Sequence, residues 1–463
     1  MTTPSDPLAR LRTRSYLALL ALAAIVGVPV SAAAYFFLAL AARLQGWIFT
    51  DVPRDLGFHG EPLWWPVLPL ALAGVLVSLT IRYLPGTGGR CPADGFKAGE
   101  GPPSPIELPG VLLAALASLS LGVVLGPEAP LIALGGGLGV CAVRLVKRDA
   151  PAATSTVVAA AGSFAAISTL LGSPILGAFL LLEASGLGGA MLEFVLVPGL
   201  LAAGIGSLIF IGLRSWTGLG TFSLAVPHIP AVGRPDIAEF GWALAIGLMA
   251  AALGCGIRWL ALVLRPEIER RMLLVTPALG LAVAGLAIAF AASTGHGSAQ
   301  VLFSGQNALG PLITHGALYT GGALVLLVAC KGLAYSASLS GFRGGPVFPS
   351  MFIGAAGGMA LSHLAGLPLI AGVAMGIGAM CTVMLRLPFT SVLLATLLLA
   401  ADGLTVMPLV IVAVVVAYVS TAWITPAPAA TAEEPQTGER RSRETSDQMV
   451  NTSTAIRITD QTG

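Results

Sequence analysis

Charged residues are scarce in this chain of 463 residues, since Asp, Glu, Lys and Arg together make up only 10% of it. An ordinary soluble domain carries about 25% charged residues. Apolar residues make up 56%, and the net charge is only +2. There are too few polar side chains to cover a soluble core of this size. The composition therefore excludes a soluble enzyme, a disordered scaffold and a nucleic-acid-binding protein.

Cysteine and histidine are also rare, with five residues of each type. The cysteines fall mostly in apolar segments and form no CxxC pair. We interpret them as small apolar residues rather than as metal ligands or a disulfide framework. The histidines show no ligand spacing, so we expect no metal and no cofactor.

Long apolar runs without a period of two predict an all-α polytopic membrane protein rather than a β-barrel. The first run, from Tyr16 to Phe49, exceeds the roughly 20 residues that a span needs, so we expect it to be tilted or bent. Many later runs are shorter and are interrupted by some of the 58 glycines and 32 prolines. Broken helices in lipid are tolerated where they line a cavity enclosed by protein. This pattern favours a bundle of tilted and broken helices around a permeation pathway in the cell membrane.

Two motifs occur twice in the same order. The GPEAP motif at residues 126–130 returns as GPVFP at 345–349, which is 219 positions later. Downstream, the segments around Pro174 and Pro388 resemble each other at an offset of 214. Nearly equal offsets predict a duplicated half-domain. Equivalent loops then meet at a pseudo-twofold interface near the middle of the membrane.

The repeat and the polar ends divide the chain into five segments. They are 1–13 (N-terminal segment), 14–215 (first half-repeat), 216–234 (connecting loop), 235–424 (second half-repeat) and 425–463 (tail). The tail is polar and rich in charge, so we expect it to be disordered. Basic residues near both ends predict that both termini are cytoplasmic, with an even number of crossings. These residues are Arg10, Arg12, Arg14, Arg440, Arg441 and Arg443.

Each GPxxP loop opens an apolar run, and proline is favoured in the first turn of a helix. Each loop is therefore predicted to form a helix N-terminus inside the membrane domain. Such an end carries unpaired N–H groups and about half a positive charge, and it attracts anions. Two facing ends make an anion site that needs no formal positive charge. The candidate residues, besides the acid in the first loop, are Gly126, Pro127, Ala129, Gly345, Pro346, Val347 and Phe348.

Glu128 places a carboxylate in the first turn of a helix within the membrane. Intramembrane acids are functional candidates by default. A carboxylate at this position competes with a permeant anion for the same N–H groups, and it can swing away or take up a proton. We interpret it as a gate. The alternative is a fixed helix cap, which stabilises a helix by about 0.3–1 kcal/mol.

These motifs resemble the CLC family of chloride channels and chloride/proton exchangers over most of residues 14–424. The GPEAP motif is similar to the family's GxEGP, and residues 338–349 are similar to its Gly/Ser-rich turn and GxFxP. Gly86-Thr87-Gly88 resembles the family's first signature, GSGxP. Segments 172–183 and 384–388 resemble matching helices in the two halves. Five motifs in the right order make the resemblance specific.

The resemblance implies an inverted-repeat helical fold and a homodimer with one anion pathway in each subunit. It implies that Glu128 is the external gate. The central anion, chloride or another small anion, is then held by the Thr87 hydroxyl next to Gly88 and by backbone amides near Val347 and Phe348. Pro346 cannot donate an N–H, so one amide ligand of the family is missing.

Two departures from the family bear on proton coupling. The internal acid of the exchangers aligns with Ala184, and Glu183 lies one residue earlier, which is a rotation of about 100° on a helix. The family's late tyrosine has no match, since Tyr418 comes too early. Both departures favour an uncoupled channel. The first alternative is a chloride/proton exchanger that uses Glu183 or a chain of water molecules for protons. Glu183 is otherwise interpreted as a helix-end acid near an interface. A more remote alternative is a membrane enzyme or assembly subunit.

Two basic residues fall near the second loop. Lys331 lies in the apolar run 324–339, where an unpaired charge costs several kcal/mol. It either snorkels to the membrane surface or raises the anion concentration near the pore. Arg343 is a second candidate for that electrostatic role.

Overall fold

The computed structural model describes residues 13–96, 101–146, 151–185, 190–218, 235–399 and 403–425. The chain divides into two units, Met1–Thr421 and Ala422–Gly463, and the site described below lies in the first. The predicted connecting loop and tail fall largely outside the described residues. The same holds for the basic residues at the ends other than Arg14. The predicted side of the termini and the predicted segment boundaries therefore stay predictions.

Helices form the regular structure of the described residues, which confirms the all-α prediction. The first half contains α1 (Arg14–Gly46), α2 (Val67–Tyr83), α3 (Leu108–Ser120), α4 (Glu128–Val146), α5 (Ala152–Leu171), α6 (Pro174–Ser185) and α7 (Ala190–Thr217). The second half contains α8 (Ile237–Arg270), α9 (Met272–Thr294), α10 (Gln306–Thr314), α11 (Gly321–Gly341), α12 (Val347–Leu361), α13 (Leu369–Leu385), α14 (Pro388–Leu398) and α15 (Gly403–Ile424).

Among the described residues, eight helical segments are long and apolar enough to cross a membrane, and six apolar helices are only 10–17 residues long. The short ones include α3, α6, α12 and α14, which flank or contain the motifs of the sequence. The protein is thus an integral membrane protein built from full and broken helices. The long first run forms α1 and continues into a π-helical turn at Trp47–Asp51.

The two halves are related by an inverted repeat. The helices α4 and α12 begin at Glu128 and Val347, which reproduces the offset of 219 between the motifs. Equivalent helices also pack on each other, α2 on α9 and α6 on α14. Gly126 and Gly345 exchange both backbone hydrogen bonds, with N···O distances of 2.7 and 2.6 Å. Reciprocal contact between equivalent positions is what a twofold axis produces.

Small residues hold the two site helices against their neighbours in the same way. A Cβ at Gly139 of α4 would meet the backbone of Val158 and Ala159 in α5. A Cβ at the equivalent Gly358 of α12 would meet the carbonyl of Gly372 in α13. Glycine at such contacts lets helix backbones approach closely in a membrane protein. These contacts fix α4 and α12, and thereby the loops from which they start.

Candidate anion-binding site

The two GPxxP loops form one structure. Each opens a helix, as the motif predicts, and the bridge between Gly126 and Gly345 joins them. The residues around this bridge are fully buried. Two helix N-termini therefore begin next to each other inside the protein, and both contribute unpaired amide groups.

Glu128 reaches from the first loop to the second. Its side chain is 0% exposed. The Phe348 N–H donates a hydrogen bond of 2.9 Å to Glu128 Oε1, and the amides of Val347 and of Glu128 itself lie beside the carboxylate. Glu128 Oε2 is buried and has no hydrogen-bond partner among the described residues. The carboxylate thus occupies an amide-lined seat with only half of its oxygens satisfied.

Two glycines make room for this carboxylate. A Cβ built on Gly345 would overlap Glu128 Oε2, and a Cβ on Gly126 would overlap both carboxylate oxygens. Glycine at both bridge positions lets the two backbones approach closely. It also leaves room for the carboxylate of Glu128. The sequence predicted these residues as anion-binding positions but gave no sign that they shape the seat of Glu128.

Two buried hydroxyls at the second loop were missed by the sequence analysis. The Ser350 and Tyr335 hydroxyls donate to the Pro346 carbonyl at 2.6 and 3.0 Å. Tyr335 is fully buried on α11, and its hydroxyl also lies 3.4 Å from that of Ser350. Tyr335 lies outside every motif, and a phenol within the apolar run 324–339 is the only signal that could have found it.

Thr87 and Gly88 lie in a tight turn of left-handed backbone, in which Gly86, Thr87, Gly88 and Gly89 have φ values of 82°, 49°, 65° and 90°. Thr87 is exposed. Arg343 Nε donates to the Gly89 carbonyl at 3.0 Å and to the Thr87 carbonyl at 3.4 Å. Arg343 therefore ties this turn to the second loop. A role of Thr87 and Gly88 as anion ligands stays a prediction.

Glu183 caps a helix of the opposite half. Its Oε1 accepts from the Phe389 N–H at 3.0 Å, and its Oε2 accepts from the Thr390 N–H and hydroxyl at 2.8 and 2.7 Å. Both oxygens are thus engaged at the N-terminus of α14. This geometry matches the alternative of a helix-end acid at an interface, while a role in proton transfer stays a prediction.

Lys331 does not snorkel, because its side chain is 0% exposed. The snorkelling alternative is therefore wrong. The aromatic ring of Phe352 lies 4.5 Å from Nζ. Nζ also donates to four consecutive backbone carbonyls at 3.0, 3.0, 3.0 and 3.3 Å, those of Gln300, Val301, Leu302 and Phe303.

A cavity of about 280 Å³ lies beside the first loop. Its wall includes Pro127, the residue before Glu128. It also includes Phe303, the last of the four residues whose carbonyls surround Lys331 Nζ. Polar side chains also line it, among them Gln45 and Gln306. The cavity has room for water molecules and reaches Pro127, the residue next to the buried carboxylate in the chain.

Comparisons with known proteins agree with this architecture. A family described as voltage gated chloride channel matches residues 73–422. Proteins named putative ion-transport protein YfeO from Salmonella choleraesuis (strain SC-B67) and Salmonella paratyphi A (strain ATCC 9150 / SARB42) are each 30% identical over 399 residues. These matches cover 85% of this chain and 92% of the relative.

Two solved structures share the fold. The slow cyanobacterial Cl⁻/H⁺ antiporter gives a TM-score of 0.72 at 18% identity, covering 89% of this chain and 95% of that one. A CLC-type fluoride/proton antiporter gives 0.64 at 22% identity, covering 88% and 96%. Members of the family matched here are channels or transporters, not enzymes. The chain belongs to the voltage gated chloride channel family.

Proposed function

We propose that this protein exchanges small anions, chloride first among them, for protons across the cell membrane, and that Glu128 is the group for which the two ions compete. One observation carries the proposal. Glu128 is fully buried in a seat of backbone amides, yet only its Oε1 has a hydrogen-bond donor among the described residues. An ionised carboxylate held so weakly in a buried site is costly.

The proposed cycle follows from this seat. An anion that takes the Phe348 N–H displaces the carboxylate, because both need the same donor. The displaced carboxylate takes up a proton, and as a neutral acid it no longer competes for the amides. Loss of the proton restores the charge that drives the side chain back. Each anion passage is thereby linked to a protonation step.

The sequence favoured an uncoupled channel, and the comparisons favour its alternative. Both similar structures are named as antiporters that exchange an anion for protons. At their low identity the likeness establishes the fold, so coupling in this chain rests on the seat of Glu128. We further propose, from the family resemblance, that the protein is a homodimer with one pathway per subunit.

The uncoupled channel remains the second candidate because of Glu183. Both of its oxygens are held by Phe389 and Thr390. A carboxylate engaged on both oxygens can leave this helix end only by giving up three charge-assisted hydrogen bonds. A coupled exchanger therefore needs an inner proton route that does not depend on Glu183, such as a chain of water molecules.

Reversal potentials of the purified protein in lipid bilayers, under separate chloride and proton gradients, test the proposal. We expect the wild-type reversal potential to depend on both gradients. In Glu128→Gln it should depend on the chloride gradient alone. Glu267→Gln, which changes an exposed acid paired with Arg271 on the same subunit, is the matched control and should behave as wild type.

A reversal potential that ignores the proton gradient in the wild type would establish the channel. Absence of any anion current in the wild type would contradict both candidates. The same preparation, with chloride replaced by nitrate or fluoride, gives the selectivity among anions.

A further inference from the structure

The environment of Lys331 has the form of a cation site. Four consecutive carbonyl oxygens, from residues 300 to 303, lie 3.0–3.3 Å from Nζ. An ammonium group has three N–H donors, and the three distances of 3.0 Å match them, whereas a neutral amine has two. No carboxylate pairs with Lys331 among the described residues. Among the described residues, backbone carbonyl dipoles rather than a carboxylate therefore face this charge, as carbonyl rings face potassium ions in channels.

This carbonyl cage (residues 300–303) is attached to the segment that leads to Glu128. The cage begins at Gln300, the last residue of the 3₁₀ turn Ser298–Gln300. At its far end, the Phe303 N–H donates to the Gly122 carbonyl at 3.1 Å. Gly122 lies in the segment between α3 and Glu128. Phe303 also lines the cavity beside Pro127.

The ammonium also contacts the second loop's helix. The ring of Phe352 lies 4.5 Å from Nζ, a cation–π contact. Phe352 is on α12, one turn after Phe348, whose N–H holds the Glu128 carboxylate. One charge thus bridges the segment before Glu128 and the helix that supplies its hydrogen-bond donor.

We propose that Lys331 is a positioning residue of the anion site, acting as a tethered cation that holds the carbonyl cage and α12 in place. The cage without lysine then binds a free monovalent cation of similar size, such as K⁺ or methylammonium. The consequence for transport rests on the proposed function, whereas cation binding by the emptied cage does not.

The first test is thermal unfolding of the full-length Lys331→Ala protein in detergent. Potassium chloride, methylammonium chloride and N-methylglucamine chloride are compared at one chloride concentration. We expect a lower midpoint than in wild type, and a rise of about 2 °C or more with K⁺ or methylammonium relative to the bulky cation. In Lys331→Met, the methionine side chain fills the space of the lysine's apolar stem and keeps a free cation out of the cage. Its thermal midpoint should therefore not rise with K⁺ or methylammonium. Equal midpoints for Lys331→Ala in all three salts would overturn the proposal.

The second test is chloride binding by calorimetry in the same salts. Lys331→Ala should bind chloride several-fold more weakly in N-methylglucamine, and K⁺ should restore part of the affinity. Lys331→Gln keeps two N–H donors for the cage and serves if the alanine variant does not accumulate. A folded Lys331→Gln protein with wild-type chloride affinity would overturn the positioning role. Absence of chloride binding in the wild type would instead contradict the proposed function. The cation dependence of the thermal midpoint would still show whether the emptied cage binds a cation.

Discussion

Glu128 and Glu183 are two acids of the first half that each cap a helix of the second half. Glu183 receives three hydrogen bonds on its two oxygens and is only partly buried. Glu128 receives one well-formed hydrogen bond, from Phe348, with the amides of Val347 and of Glu128 itself beside it, and it is fully buried. The same local motif, a carboxylate at a helix N-terminus, therefore gives a well-supported cap in one place and a poorly supported charge in the other. The number of donors, set against the cost of burial, separates a fixed acid from one that can leave its seat.

The difference between the two acids is tested most strongly by a variant that forces the Glu128 side chain out of its amide-lined seat and keeps its charge. Gly345→Ala does this, because the new Cβ overlaps Glu128 Oε2, which is the end of a flexible side chain. We expect the side chain to swing away and anion flux from proteoliposomes to lose its dependence on pH, as in Glu128→Gln. The expected effect is the largest of this series, since it removes the competitor from the site.

Gly357→Ala is the matched control for that variant. Gly357 lies on the same helix, α12, and a Cβ there meets nothing within 4 Å. Its flux should keep the pH dependence of the wild type. An unchanged pH dependence in a folded Gly345→Ala protein would mean that the carboxylate does not need the seat in order to act.

Glu183→Gln weakens the hydrogen bonds that the other acid makes at the start of α14. A glutamine has one acceptor oxygen where the carboxylate has two, so at least one donor of Phe389 or Thr390 loses its partner. We expect a stability loss of about 1–2 kcal/mol, seen as a lower thermal midpoint, with the reversal potential unchanged. A changed proton dependence with an unchanged midpoint would show that Glu183 carries protons after all.

Parts of this arrangement were visible in the sequence because they depend on local pattern. Glycine and proline in the two GPxxP motifs predicted the helix starts, and their equal spacing predicted the repeat. The apolar surroundings of Glu128 and Lys331 marked both charges as unusual. Pattern therefore predicted the fold class and the two loops that the structure brings together.

The partners of these charges could not be predicted in the same way. Lys331 is held by carbonyls about thirty residues earlier, and every residue type carries a carbonyl, so no motif records them. Glu183 is held by amides more than 200 residues away. Arg343 was given an electrostatic role, but its hydrogen bonds to the turn at Thr87 depend on how the two halves pack.

A third acid refines the comparison outside the membrane-spanning segments. Glu61 lies before α2. The hydroxyl of Ser298, which lies two residues before the carbonyl cage, donates to Glu61 Oε1 at 2.7 Å. Like Glu128, Glu61 has a hydrogen-bond donor on one carboxylate oxygen, but its donor is a side-chain hydroxyl rather than a backbone N–H. Burial raises the pKa of Glu61 above its usual value of 4.5, and the hydrogen bond from Ser298 only partly opposes this.

The direction of its pH effect follows from that raised pKa. Folding favours the protonated form of Glu61, so its contribution to stability is fully present below pH 4.5 and is lost as pH rises through the higher folded value. Glu61→Gln imitates the protonated acid at every pH. We therefore expect the wild-type thermal midpoint to fall relative to Glu61→Gln as pH is raised from 4 to 7, by the smallest amount in this series. Parallel midpoint curves for the two proteins would show that solvent, rather than the protein, sets the charge of this acid.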